Sequence, residues 1–227
     1  MEERDGRLIP ERLLRASELP GGLGEANNPD WKTVAIDETT GDLVAPLGSI
    51  GFRWGENGHW NLEEKDGTGQ SIRLQLTLAD ADHQIAAVDF PYFGGRASEH
   101  FVSTSHGDIL TRNVPVREIA TADGSKVKVA TVYDLMMANY GLDRGFGGDF
   151  VARTYDQDVP FTPAWAEKIT GIPATTIARL AVEFAEAAPA ASIEPSWRGA
   201  FGCSYANSGE TARAVCLFNT LLGCWNQ

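Results

Sequence analysis

The chain has 227 residues, 43% of them hydrophobic, enough for one large domain or two small ones with a buried core. Its 31 acidic against 19 basic residues give a net charge of −12, which repels phosphate backbones and anionic membrane surfaces and argues against a nucleic-acid partner, although plain soluble proteins are often as acidic. No stretch approaches ~18 consecutive apolar residues, and the opening "MEERDGRLIPERLLRASELP" is charged throughout, so neither a membrane span nor a secretory signal is expected and the chain reads as intracellular.

Residues 1–125 are broken every few positions by turn chemistry, which predicts a β-rich region of short strands and loops. Trp31 to Ile36 reads as a strand that turns at "ETTGD" into Leu43 and Val44. In "HWNLEEKDGTGQSIRLQLTLAD", Asp66-Gly67 supplies a hairpin turn, and Ile72, Leu74, Leu76 and Leu78 alternate with polar residues, predicting a strand with one buried face. Residues 87–117 show little periodicity and read as ordered loop with short strands. A further strand pair, "VPVREIA" and "SKVKVATV", is joined at Ala122-Asp123-Gly124.

Residues 126–227 read as a partial α/β region. "TVYDLMMANYGL" places Val132, Leu135, Met136 and Tyr140 on one helical face, with Gly141 set to end the helix. The following "RGFGGDF" reads as a flexible hinge. Thr162 suits an N-cap, Pro163 the first helical position and Gly171 the stop, and Pro173 opens a second helix with Ile177, Leu180, Ala181 and Phe184 on its half-buried face. "ASIEPSW" reads as a short buried strand centred on Ile193. Ser208 is expected to cap a last helix, Glu210 to Leu222, with Ala214, Val215, Phe218, Leu221 and Leu222 facing inward.

The fold class expected is α/β: an incomplete parallel-sheet layer carrying a β-rich N-terminal elaboration. A parallel sheet needs covered faces and paired edges, and more strands than are visible here, which suggests a fragment of a larger fold. Ligands of open α/β sheets sit beyond the carboxyl ends of the strands, so the loop after residue 196 is the expected binding position, containing Trp197, Arg198, Gly199, Gly202 and Asn207. Arg198, beside Trp197 and glycines that permit close backbone approach, suits an anionic substrate or a phosphate-bearing cofactor; spacing alone does not separate this from an ordinary surface arginine.

Cys203, Cys216 and Cys224 are spaced C-x12-C-x7-C, which matches neither a zinc pattern nor a redox pair, and their odd number favours a reducing compartment. His59, His83, His100 and His106 are scattered without a helical pair or an acidic cluster, so loop histidines are expected rather than ligands. Phosphate-loop, nucleophile-elbow and dinucleotide glycine motifs do not occur.

Several blocks, including "GSIGFRWGENG", "FPYFGG", "TVYDLMMANYGLDRG" and "FTPAWAEKITGIP", resemble an internal segment of the catalytic α subunit of respiratory nitrate reductases, from about Leu13 to Ala187. The block around "TPAWAEKITGIP" resembles the wider dimethyl sulfoxide reductase superfamily of molybdopterin oxidoreductases. The tail "IEPSWRGAFGCSYANSGETARAVCLFNTLLGCWNQ" departs from this branch and is more similar to sulfur-compound reductases of that superfamily.

This resemblance implies a parent enzyme with molybdenum held by two molybdopterin guanine dinucleotides and a [4Fe-4S] cluster, reducing nitrate in anaerobic respiration. Fragments of a thiosulfate, polysulfide or tetrathionate reductase, or a non-catalytic binding module, are the alternatives. The resemblance assigns no catalytic residue or metal ligand to this chain, which alone is expected to be inactive, and it places Trp197, Arg198 and Gly199 at the cofactor. It implies an iron–sulfur electron-transfer subunit, a membrane-anchor subunit and a small oxyanion as partners, with a cytoplasmic location or membrane association through those subunits.

Overall fold

The computed structural model describes residues 1–25, 29–47, 64–90, 109–194 and 208–224. They fall into two compact units, Met1–Trp165 and Ala166–Gln227. The first unit is built on a five-stranded sheet, with strands β1 (Glu2–Arg4), β2 (Arg7–Ile9), β5 (Gln84–Phe90), β6 (Leu110–Ala120) and β7 (Lys126–Val129) side by side in that order. Two further strands, β3 (Ala35–Ile36) and β4 (Leu43–Val44), form a separate antiparallel hairpin.

Asp5 and Gly6, both at positive φ (52° and 74°), make the two-residue turn between β1 and β2. β2 then runs parallel to β5, with Leu8 opposite Val88, and β6 is antiparallel to both of its neighbours, β5 and β7. The sheet is thus mixed, with parallel pairing and helices on the same chain, in keeping with an α/β fragment. Val88, Phe90 and Val114 are buried at its centre, and Leu8, Ala130, Leu135 and Ala138 pack against them. A fully buried Val or Phe side chain contributes roughly 1.5–3 kcal/mol.

A flat sheet would hold β1 and β7 ~19 Å apart at the usual strand spacing. The Met1 amine nevertheless donates to the Lys128 carbonyl at 2.9 Å. The sheet is therefore strongly coiled, as the right-handed twist of its strands permits.

The β6–β7 pair follows the reading from sequence, turning through residues 121–125. Two other regions differ. β5 and the start of β6 fall where little periodicity was visible, because β5 is stabilised by seven cross-strand partners rather than by an alternating face. Residues 71–77 do not form the predicted strand: Ser71 and Leu74 make only isolated bridges, to Lys65 and Asp37. Ile72 and Leu78 are buried, but Leu74 and Leu76 are 40% and 61% exposed. The backbone of this run bonds the β3–β4 hairpin instead, through Glu38 N–H to Arg73 and Gln75 N–H to Ile36.

Helix α1 (Val132–Asn139) is capped by Thr131, whose hydroxyl accepts from the Asp134 N–H. Its buried residues are Asp134 and Met137, whereas Val132, expected inside, is 62% exposed. Helix α2 (Pro163–Thr170) starts at the predicted cap: the Thr162 hydroxyl accepts from the Trp165 N–H at 3.2 Å. It ends at Gly171, at φ 71°, whose N–H returns to the Glu167 carbonyl.

In the second unit, α3 (Ala174–Ala187) and α4 (Ser208–Leu221) pack through an edge-to-face contact of Phe184 and Phe218 at 5.3 Å. Ser208, the expected cap, stands as the first residue of α4. Ala214 and Leu221, expected to face inward, are exposed, and among the described side chains of α4 it is Asn219 that is buried.

Candidate functional site

Trp197, Arg198 and Gly199 lie outside the described residues, as do His59, His100, His106 and Cys203. What the structure describes is the segment that leads to them. Residues 191–194 make no strand ladder among the described residues, where a buried strand had been expected. Helix α4 takes the neighbouring strand's place. Asn219 Oδ1 accepts from the Ile193 N–H at 2.9 Å while its Nδ2 donates to the Ile193 carbonyl at 2.8 Å. The Cys224 thiol donates to the Ala191 carbonyl. In an extended segment, the N–H and C=O of one residue point to the same side, so a single amide side chain satisfies both groups of Ile193.

The other sequence-selected residues are not brought together. His83 Nδ1 lies 2.8 Å from the Ala81 carbonyl, and its ring meets Phe146 edge-on at 6.2 Å. Cys216 is exposed on α4. Among the described residues there is no group of three or more His, Cys, Asp or Glu side chains that could hold a metal ion. Nor does any described helix have the length and apolar character to cross a membrane.

A buried polar network that sequence reading missed centres on Asp134, which is 1% exposed. Its carboxylate accepts from the hydroxyls of Thr131 (2.8 Å) and Thr77 (2.5 Å), the Leu78 N–H (2.8 Å) and Arg144 Nη1 (2.6 Å). Arg144 also bonds Thr77 and lies 5.3 Å and 5.5 Å from the ring centres of Tyr133 and Phe146. The visible signal was Thr131 three residues before an acidic residue at a helix start, which predicts a cap but not its burial.

The same network corrects the hinge reading of "RGFGGDF". Asn113 Nδ2 donates to the Phe146 carbonyl, Asp149 N–H to the Thr111 carbonyl, and the Thr111 N–H returns to the Asp149 carboxylate. Fully buried Arg112 donates to the carbonyls of Ala138, Asn139 and Asp149, so one guanidinium joins β6, the end of α1 and this segment. Burial lowers its pKa to about 10, leaving it a cation at neutral pH. Gly148 sits so close to β6 that a Cβ there would lie 2.6 Å from Arg112 Cα. Its glycine serves close approach rather than mobility.

The first unit also carries an open apolar trough of about 510 Å3. It runs between residues 10–14, β3, β4, residues 74–78 and the start of α1, and its walls include Leu13, Leu14, Val34, Ile36, Leu76 and Val132.

Comparison with known proteins gives this arrangement a context. The respiratory nitrate reductase 1 alpha chain of Escherichia coli (strain K12) is 52% identical over 187 residues, 82% of this chain. The chain is homologous to respiratory nitrate reductase alpha chains. Nitrate reductase alpha chains of Bacillus subtilis (32% identical over 187 residues) and Mycobacterium tuberculosis (35% over 189 residues) also match across 82% of the chain. In each case the match spans 14–15% of the relative's length, so the chain covers about one seventh of the alpha chains it resembles. A 187-residue match leaves 40 of 227 residues outside, so it includes positions 41–187 wherever it begins, and with them the Asp134 network and the segment stitched to β6. No family model matches the chain.

Proposed function

We propose that this chain is a working part of the catalytic alpha subunit of a molybdenum-dependent enzyme that reduces nitrate in anaerobic respiration. The identity of 52% over 82% of the chain carries this reading. Such a subunit holds molybdenum between two molybdopterin guanine dinucleotides, which supply the redox chemistry, and a [4Fe-4S] cluster that feeds it electrons. Its partners are an iron–sulfur electron-transfer subunit and a membrane-anchor subunit, which attach it to the membrane.

The described residues bring together no group of three or more potential metal ligands. By resemblance, the ligands of molybdenum and of the cluster belong to other parts of the subunit, and no chemical step is assigned to the described residues. Their share is scaffolding: the Asp134 and Arg112 networks fix α1 and the segment after it against β6. Within this reading Trp197, Arg198 and Gly199 contact the cofactor, with Arg198 orienting the oxyanion or a pterin phosphate through paired hydrogen bonds.

The test is a chimera in which the aligned segment of the Escherichia coli alpha chain is replaced by residues 41–187 of this chain. Nitrate reduction with a reduced viologen donor is expected to persist, and an assembled chimera without nitrate turnover refutes the reading. The tail's similarity to sulfur-compound reductases favours a second substrate class, a sulfur oxyanion. A second chimera that extends through residue 227 separates the two: turnover of thiosulfate or tetrathionate in place of nitrate decides for the alternative.

A further inference from the structure

The apolar trough of the first unit has no part in the chemistry proposed above. Leu13, Leu74, Leu76 and Val132 on its walls are 46%, 40%, 61% and 62% exposed, so apolar walls of the trough face water. The charged side chains at its margin are paired within the chain, and the Met1 ammonium donates to the Lys128 carbonyl. Arg12 pairs with Glu18 at 2.5 Å, and Glu11 with Arg4 at 3.0 Å. Nothing there is aimed at an ionic ligand, so the complementary occupant is apolar and uncharged.

Three such occupants can be weighed. A small apolar molecule on the floor of the trough leaves the exposed rim formed by Leu76 and Val132 in water. A second copy of this chain brings another net charge of −12 against the first, which opposes association. A ridge of polypeptide covers floor and rim together, and the matched relatives have six sevenths of their length outside the region that corresponds to this chain.

We infer that the trough is the seat of an apolar, uncharged stretch of polypeptide supplied from outside these 227 residues, within the same large subunit. This rests on the reading of the chain as part of an alpha subunit. It adds a docking surface built from residues of the first unit, and it makes the trough an internal interface of that subunit.

The substitutions Leu76→Cys and Val132→Cys test it, because both side chains are exposed and their replacement leaves the core intact. Each is made singly in the 227-residue chain and at the aligned position of the full-length Escherichia coli alpha chain in its assembled enzyme. Maleimide alkylation of each introduced thiol is followed by site-resolved mass spectrometry. The thiols are expected to react freely in the 227-residue chain and at least about tenfold more slowly in the assembled enzyme, with full reactivity restored by denaturant.

Equal rates in the two settings overturn the inference. So does protection in the 227-residue chain that disappears on dilution, which identifies a second copy, or protection there that accompanies an apolar molecule recovered by solvent extraction. The outcome is separable from that of the proposed function, because a chimera that fails to reduce nitrate leaves the alkylation comparison unaffected.

Discussion

Asp134 holds together four donors from three parts of the chain: the cap of α1, residues 77–78 and Arg144. Asp134→Ala removes every acceptor at once and leaves Arg144, 21% exposed, without its carboxylate. Loss of one partner of a buried pair is expensive, and the substitution is expected to lower unfolding free energy by on the order of 3 kcal/mol, read from urea denaturation. Asp123 acts differently, on the surface. The Thr121 hydroxyl and the Ser125 N–H hold its carboxyl at about 2, below the usual 3.8. Because the folded value is depressed, the stabilisation is present above 3.8 and is lost as pH falls through about 2. An NMR titration should therefore place the Asp123 midpoint near 2, and Thr121→Val should raise it. The Asp123-Gly124 turn was legible in the sequence, whereas the burial of Asp134 was not, since its partners lie 10 and 57 residues away.

At the scale of elements, local chemistry and periodicity carried unequal information. The cap at Thr162, the stop at Gly171 and the β6–β7 turn are decided by residues within one or two turns, and each stands where the sequence places it. The alternation of residues 71–78 promised a half-buried strand, but alternation records only which side chains are apolar. Whether a partner lies across from them is a tertiary matter, and Leu74 and Leu76 line a trough instead. Likewise, glycine content suggested a hinge at residues 145–148, yet close approach to β6 accounts for Gly148. The Asn219 amide makes a sharper test of an element. Asn219→Ala removes both bonds to Ile193, so the Ile193 amide is expected to exchange at least about tenfold faster while the interior of α4 keeps its protection. Unchanged exchange at Ile193 would show that the segment is held by something other than α4.

For the molecule as a whole, the chain corresponds to about one seventh of its relatives' length, and its described residues lack a metal donor cluster. The purified chain is expected to show no nitrate turnover and to carry no stoichiometric molybdenum or iron, as checked by viologen assay and elemental analysis. Turnover by the chain alone would overturn the assignment of the ligands elsewhere. By itself the sequence determined the family resemblance, the α/β class, the acidic surface and those turns and caps that depend on neighbouring residues. Tertiary structure decided which strands pair, that Asp134 and Arg112 are buried, that a glycine run is stitched rather than loose, and that an apolar trough remains open. The division has a physical cause: caps and turns are set by backbone geometry over a few residues, while pairing and burial are set by groups far apart in the chain that meet only once it has folded.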